Sequence, residues 1–151
     1  MTIAISGATS MLGIATIKQC IDKNYSVLAF VHSGSKKIEL IPQSKFSSLI
    51  ECDWQDMRDF NTVGYKADVF IHFGWTHTDK VGRNDPYLQM ENVQYTLDAV
   101  HLAQRLGCKK FIGAGSQAEY GTPNVILTEN TPVNPLISYG IAKYAAGKLS
   151  K

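Results

Sequence analysis

The chain has 151 residues, 44% of them hydrophobic and 19% charged, with a formal net charge of +2. This is the composition of a globular protein long enough to bury a core of its own. The weak charge excludes an electrostatic footprint on nucleic acid, and no apolar run approaches the roughly 18 residues that would cross a bilayer.

Short β-rich runs alternate with helical patterns along the chain. "TIAIS" (2–6) predicts a strand that meets Gly7 at once, and Ile14, Ile17 and Ile21 recur at helical spacing, predicting a helix over 11–23. "SVLAFV" (26–31) has no polar alternation, the pattern of a strand buried on both faces. "SSLIEC" (47–52), "ADVFIHF" (67–73) and "KKFIGAG" (109–115) predict three more strands. Before the fifth strand comes the longest helix, with Pro86 near its start and Gly107 as its stop. Met90, Val93, Leu97, Val100 and Leu106 are its expected apolar face. Residues 121–136 carry Pro123, Pro132 and Pro135, a poor setting for helix or strand. A last helix is expected from Ser138 to the end of the chain. This alternation predicts a doubly wound α/β fold on a parallel sheet.

The N-terminus "MTIAISG" is expected to enter structure directly, without a secretory signal. Cys20, Cys52 and Cys108 have no CxxC or metal-ligand spacing and read as small buried hydrophobes of a reduced, cytoplasmic protein. The four histidines form no ligand set; His72 and His77 flank a glycine at a strand end, and no metal is expected.

"SGATSMLG" (6–13) places Gly7, Ser10 and Gly13 at the spacing of a G-x-x-G-x-x-G turn, after a strand and before a helix. Gly7 allows the tight turn, Gly13 lets helix and strand approach, and the helix start at Thr9, Ser10, Met11 and Leu12 offers N–H groups and a positive dipole end to a pyrophosphate. Ser10 takes some of the room while its hydroxyl could donate to a phosphate oxygen. A dinucleotide site usually places a carboxylate about 20 residues further on, to hold the ribose 2′-OH. Here "FVHSGSKK" has none; His32, Ser33, Ser35 and Lys36 could meet a 2′-phosphate, which favours NADP over NAD. Lys36 and Lys37 also read as a solvated helix face.

Tyr139 and Lys143 stand four apart on the last predicted helix, so their side chains share a face. A phenol is a poor base near neutral pH unless a nearby ammonium, helped by an oxidised nicotinamide ring, stabilises its phenolate. Ser116, just beyond the fifth strand, could hold a substrate oxygen. Tyr144 and Lys148 repeat the spacing; the first copy is preferred because it opens the helix after the proline loop.

Together, "SGATSMLG", "CDWQD", "IHFGW", "ENVQYTLDAVHLAQRLGCKKFIGAGSQAEYG" and "SYGIAK" resemble the N-terminal half of an extended short-chain dehydrogenase/reductase. Within that superfamily they resemble the NAD-dependent epimerase/dehydratase family that acts on nucleotide sugars. The resemblance implies a Rossmann fold with Ser116, Tyr139 and Lys143 as the catalytic set: Tyr139 exchanges the proton, and Lys143 lowers its pKa and holds the nicotinamide ribose. It implies that Asp53 contacts adenine with Trp54 beside it, and that His72, Phe73 and Gly74 pass under the cofactor. Asn92 matches a helix asparagine behind the site, or is a buried polar residue bonding backbone. A nucleotide-sugar substrate and a homodimer through the two long helices are further implications.

The chain departs from that pattern at Ser10, at the missing second-strand acid, and at Gln117 and Ala118, where 4,6-dehydratases carry Asp-Glu for water elimination. C4 epimerisation or 4-keto-sugar reduction, as in surface-polysaccharide pathways, is therefore expected. Family members are about twice as long, so residues 1–151 are expected to form an incomplete dinucleotide-binding domain that stops before the last strands and the substrate domain. An uncovered sheet edge and helix face would then invite dimerisation or aggregation. The rival expectation is a non-catalytic NAD(P)-binding module or an inactive fragment.

Overall fold

In the computed structural model, which describes residues 1–151, the backbone divides into two units, Met1–Gly74 with Asp98–Ala114 and Trp75–Leu97 with Gly115–Lys151. The first unit holds every strand: β1 (Thr2–Ser6), β2 (Ser26–Val31), β3 (Ser47–Glu51), β4 (Val69–His72) and β5 (Lys110–Gly113). They form one all-parallel sheet in the order β3-β2-β1-β4-β5. The order reverses between β1 and β4, so the carboxyl ends of these two strands mark the switch point of a Rossmann-like sheet.

Both faces of the central strands are covered, which is why β1 and β2 show no polar alternation. On one face Ile3, Ile5, Val27, Ala29 and Val31 pack with Ile17 and Cys20 of α1 (Met11–Asp22). On the other, Ala4, Phe30, Ile50 and Phe70 pack with Ala99, Leu102, Ala103 and Leu106 at the end of α2 (Pro86–Arg105). Phe30 and Phe70 stack with centroids 5.9 Å apart, and Phe111 continues the row at 5.7 Å from Phe70. Arg105 clamps the end of α2 by donating to the carbonyls of Phe60 (2.6 Å) and Met57 (2.9 Å). The sheet runs out at β5, where Ile112 is 45% exposed, as expected of an edge.

Both helices stop where a left-handed residue follows them. Asn24 (φ 57°) and Gly107 (φ 79°) let the next residues, Tyr25 and Cys108, donate back to Cys20 and Ala103, closing the last turn. At its start α2 is capped by Asp85, whose carboxylate accepts from the N–H groups of Tyr87 and Leu88, with Pro86 at the first helical position.

The second unit contains the first part of α2 and α3 (Ser138–Leu149), with a small core of Val93, Ala142 and Ala146 capped by Trp75 and Ala145. Gly140 lets α3 lie against the 3₁₀ turn Gln117–Tyr120, since a Cβ there would sit 2.3 Å from the Ala118 carbonyl oxygen. The proline-bearing stretch 121–137 forms no regular element.

Two sequence expectations change. The buried positions of α2 are Gln89, Asn92, Val93, Thr96, Asp98, Ala99, Leu102 and Ala103, with Leu106 following just past its end, while Met90 is 60% exposed. Amide and hydroxyl side chains occupy buried positions here because they bond backbone, which offsets their desolvation. And α3 ends at Leu149, with Ser150 N–H bonding the Ala146 carbonyl, rather than continuing to the last residue.

Candidate active site

The turn after β1 is built around backbone crowding. Gly7 has φ 69°, and a Cβ on it would sit 2.8 Å from the backbone of Phe73 and of Gly74. Gly13 touches the Gly7 and Ala8 carbonyl oxygens so closely that a Cβ would lie 2.4 and 2.7 Å away. Ser10 is the N-cap of α1: its Oγ accepts from Gly13 N–H at 3.0 Å. The serine in the middle glycine position thus serves the helix first, and its hydroxyl proton remains to be donated. The first-turn N–H groups of Met11 and Leu12 have no intrahelical acceptor, and these residues are 83% and 53% exposed. A positive-φ glycine followed by an open helix start fits a pyrophosphate. Thr9 completes that turn.

At the carboxyl ends of β2 and β3 the structure joins residues that are 20 and 21 apart in sequence. The Asp53 carboxylate bonds the His32 ring and accepts from Ser33 N–H and Ser33 Oγ, both at 2.8 Å. Partial burial tends to raise the pKa of Asp53, but the Ser33 N–H, the His32 ring and the Ser33 hydroxyl outweigh it and hold the carboxyl below its usual range. Two residues expected at a 2′-phosphate, His32 and Ser33, are therefore occupied by a carboxylate of this same chain. Ser35 and Lys36 lie in the exposed turn beyond, outside this cluster.

At the end of β4, His72 is buried and its Nδ1 meets Ser6 Oγ at 2.6 Å. Trp54 packs edge-on to the His72 ring (6.2 Å) and lies over Gly74, where a Cβ would be 2.4 Å from the indole. The structure thus gathers Gly7, Trp54, Phe73 and Gly74 at the switch point, with the buried His72 ring held by Ser6 between Trp54 and Phe111.

In the second unit, Tyr139 and Lys143 converge on Trp75. The Trp75 and Tyr139 rings meet edge to face at 5.9 Å, and Lys143 Nζ lies 3.8 Å from the centre of the Trp75 ring. Lys143 is 7% exposed, and burial pushes its ammonium down from 10.5 to about 8, with the Glu119 carboxylate opposing. Ser116 caps the turn Gln117–Tyr120: its Oγ accepts from Ala118 N–H at 3.2 Å, and Glu119 accepts from Ser116 N–H at 2.6 Å. The repeated pair differs, because Lys148 is exposed and only lies over the Tyr144 ring at 5.3 Å. The two pairs thus differ in the burial of their lysine.

Sequence reasoning missed Trp75, Arg83 and Gln89. Gln89 accepts from Trp75 Nε1 and donates to the carbonyls of His77 and Gly82, all at 2.9 Å. Asn92 accepts from Thr76 N–H (2.7 Å) and donates to the Thr76 and Leu88 carbonyls (3.1 Å each), the backbone-bonding role foreseen as one alternative. The available signal was Gln89, Asn92 and Thr96 recurring at helical spacing, a polar stripe where an apolar one was sought.

Residues 3–151 match the NAD dependent epimerase/dehydratase family. The chain is similar to the dTDP-6-deoxy-L-talose 4-dehydrogenase (NAD(+)) of Aggregatibacter actinomycetemcomitans, 26% identical over 95% of this chain and 52% of the relative. It is similar to UDP-glucose 4-epimerase 4 of Oryza sativa subsp. japonica, 24% identical over 99% of this chain and 44% of the relative. Its backbone matches a crystal structure of UDP-glucose 4-epimerase from Bifidobacterium longum in complex with NAD+ and UDP, with TM-score 0.83 and 22% identity over 99% of this chain and 48% of that one. The chain spans about half the length of the curated relatives it matches. No helix is long and apolar enough to cross a membrane.

Proposed function

Because this chain belongs to the NAD dependent epimerase/dehydratase family, we propose that it is the cofactor-binding part of a nucleotide-sugar 4-epimerase or 4-ketoreductase using NADP or NAD. The observation that carries the proposal is the meeting of Tyr139 and a buried Lys143 on Trp75. A phenol held beside a desolvated ammonium is suited to give and take a proton near neutral pH.

The bound nicotinamide supplies a hydride acceptor and donor. This chain's own residues do the rest. The first turn of α1, from Thr9 to Leu12, holds the pyrophosphate on backbone N–H groups with Ser10 as an added donor, and Gly7 and Gly74 keep side chains out of its way. Asp53 and Trp54 border the adenosine end. Tyr139 takes the proton from the sugar C4 hydroxyl on oxidation and returns it on reduction. Lys143 stabilises the phenolate in between and reaches the nicotinamide ribose, and Ser116 donates to the developing oxygen. Gln117 and Ala118 offer no acid or base for elimination, which disfavours dehydration. Substrate selection belongs to the other half of a parent enzyme, and pairing of two copies through α2 and α3 completes the proposed assembly.

Tyr139→Phe in a full-length version is expected to lower turnover by orders of magnitude while titration calorimetry still shows cofactor binding. Undiminished turnover would defeat the assignment, and cofactor binding with no turnover in the parent would favour a binding module instead. Calorimetry with both cofactors also tests the NADP preference, which tighter binding of NAD overturns.

A further inference from the structure

The segment between β4 and α2 has almost no regular structure, yet side chains fix it at nearly every residue. Gln89 and Asn92 reach out of α2 to hold Trp75, Thr76, His77 and Gly82. Asp79 ties the segment to itself by accepting from Val81 and Gly82 N–H, both at 3.0 Å. Asn84 donates to the Lys80 carbonyl at 3.1 Å, and the Asn84 carbonyl accepts Ser138 Oγ at 3.0 Å, fastening the strap to the start of α3. His77 takes the left-handed conformation that this path demands.

The strap delivers one cation to Tyr139. The Arg83 guanidinium carbon lies 4.4 Å from the centre of the Tyr139 ring, and Arg83 Nε is buried without a hydrogen-bond partner. An arginine in a loop ordinarily spends its fork on a carboxylate or on carbonyls. Here the strap's own carboxylates, Asp79 and Asp85, accept backbone N–H groups, and Arg83 forms no ion pair. A cation over a neutral phenol feels only the ring quadrupole, whereas over a phenolate it also meets a full opposite charge. Arg83 therefore gains more from the ionised ring than from the neutral one.

We propose that Arg83 is a positioning residue for Tyr139, a second cation that holds the ring face and favours its phenolate beside Lys143. The inference rests on the reading of Tyr139 as the acid/base group. Arg83 from the strap lies over the Tyr139 ring, Lys143 sits one turn on along the same helix over the neighbouring Trp75 ring, and the Glu119 carboxylate of the adjoining turn acts on Lys143 with the opposite sign.

The test is a spectroscopic titration of the full chain that needs neither substrate nor cofactor. Phenolate absorbance is followed against pH in the parent and in Tyr139→Phe, and the difference isolates Tyr139. The same difference is taken on an Arg83→Gln and on an Arg83→Lys background. We expect Arg83→Gln to move the Tyr139 midpoint to higher pH by about one unit or more, and Arg83→Lys to restore much of it. A prop without electrostatic function would leave the midpoint in place, or would move it equally in both variants; either result overturns the proposal. If Arg83→Gln fails to fold, Arg83→Met reads the same difference, and loss of the folded near-ultraviolet spectrum in both would mark Arg83 as structural and end the proposal. An unmoved midpoint leaves the nucleotide-sugar reading intact. A moved midpoint with full turnover in Tyr139→Phe removes that reading instead.

Discussion

Lys143→Met is expected to stabilise the folded chain at neutral pH. Carrying a buried lysine from 10.5 down to about 8 corresponds to about 3 kcal/mol by which the folded state disfavours the charged form. The Trp75 ring under the ammonium returns roughly 1–2 kcal/mol of this. Methionine keeps the length and apolar contact without the charge, so the net gain is about 2 kcal/mol. The pH dependence is the sharper signature. Between pH 8 and 10.5 the unfolded chain still holds the proton that the folded chain has released, so the parent gains stability as pH rises through that window. The advantage of Lys143→Met over the parent should then shrink by roughly 2 kcal/mol between about pH 7 and pH 9.5. Burial holds the Cys52 and Cys108 thiols at about 11, above their usual 9.0, so they act the other way, costing stability from pH 9 to 11. Both chains carry them, and they cancel in the difference. Urea unfolding followed by circular dichroism at a series of pH values measures it. A variant less stable than the parent at pH 7, or a gap that does not change with pH, would refute the reasoning.

Asp53→Asn should remove a negative charge from the ends of β2 and β3 and weaken the hold on the His32 ring and the Ser33 hydroxyl. We expect the ratio of NADP to NAD affinity to rise roughly tenfold in calorimetric titrations, and an unchanged ratio would place the ribose away from this cluster. Gln89→Leu deletes three hydrogen bonds and takes the side-chain partner from the Trp75 indole N–H and the His77 carbonyl, while the Gly82 carbonyl keeps the Asp85 N–H. At about 1 kcal/mol each this costs roughly 3 kcal/mol and lowers Tm by roughly 6–12 °C; a shift under about 2 °C would show that the strap does not depend on this side chain.

Single-element features were legible in the residues themselves. The strand runs of β1 and β2, the start of α1 near Met11, the stop of α2 at Gly107 and the Tyr139–Lys143 spacing all depend on neighbours within a few positions. Periodicity, capping and turn glycines therefore report them directly. The buried face of α2 was not legible, because a search for apolar spacing selects Met90 and passes over Gln89, whose burial is offset by the Trp75 N–H and two carbonyls of a distant loop. Neither was the capture of His32 and Ser33 by Asp53, which requires β3 to lie beside β2 in a particular register. The placement of Arg83 on Tyr139 depends on the path of an irregular strap tied down by side chains from another element. Sequence alone therefore determined which elements form and which residue types are present for the chemistry. Tertiary structure decided which charges face one another, because Coulomb and desolvation energies depend on distances and burial that local pattern does not contain.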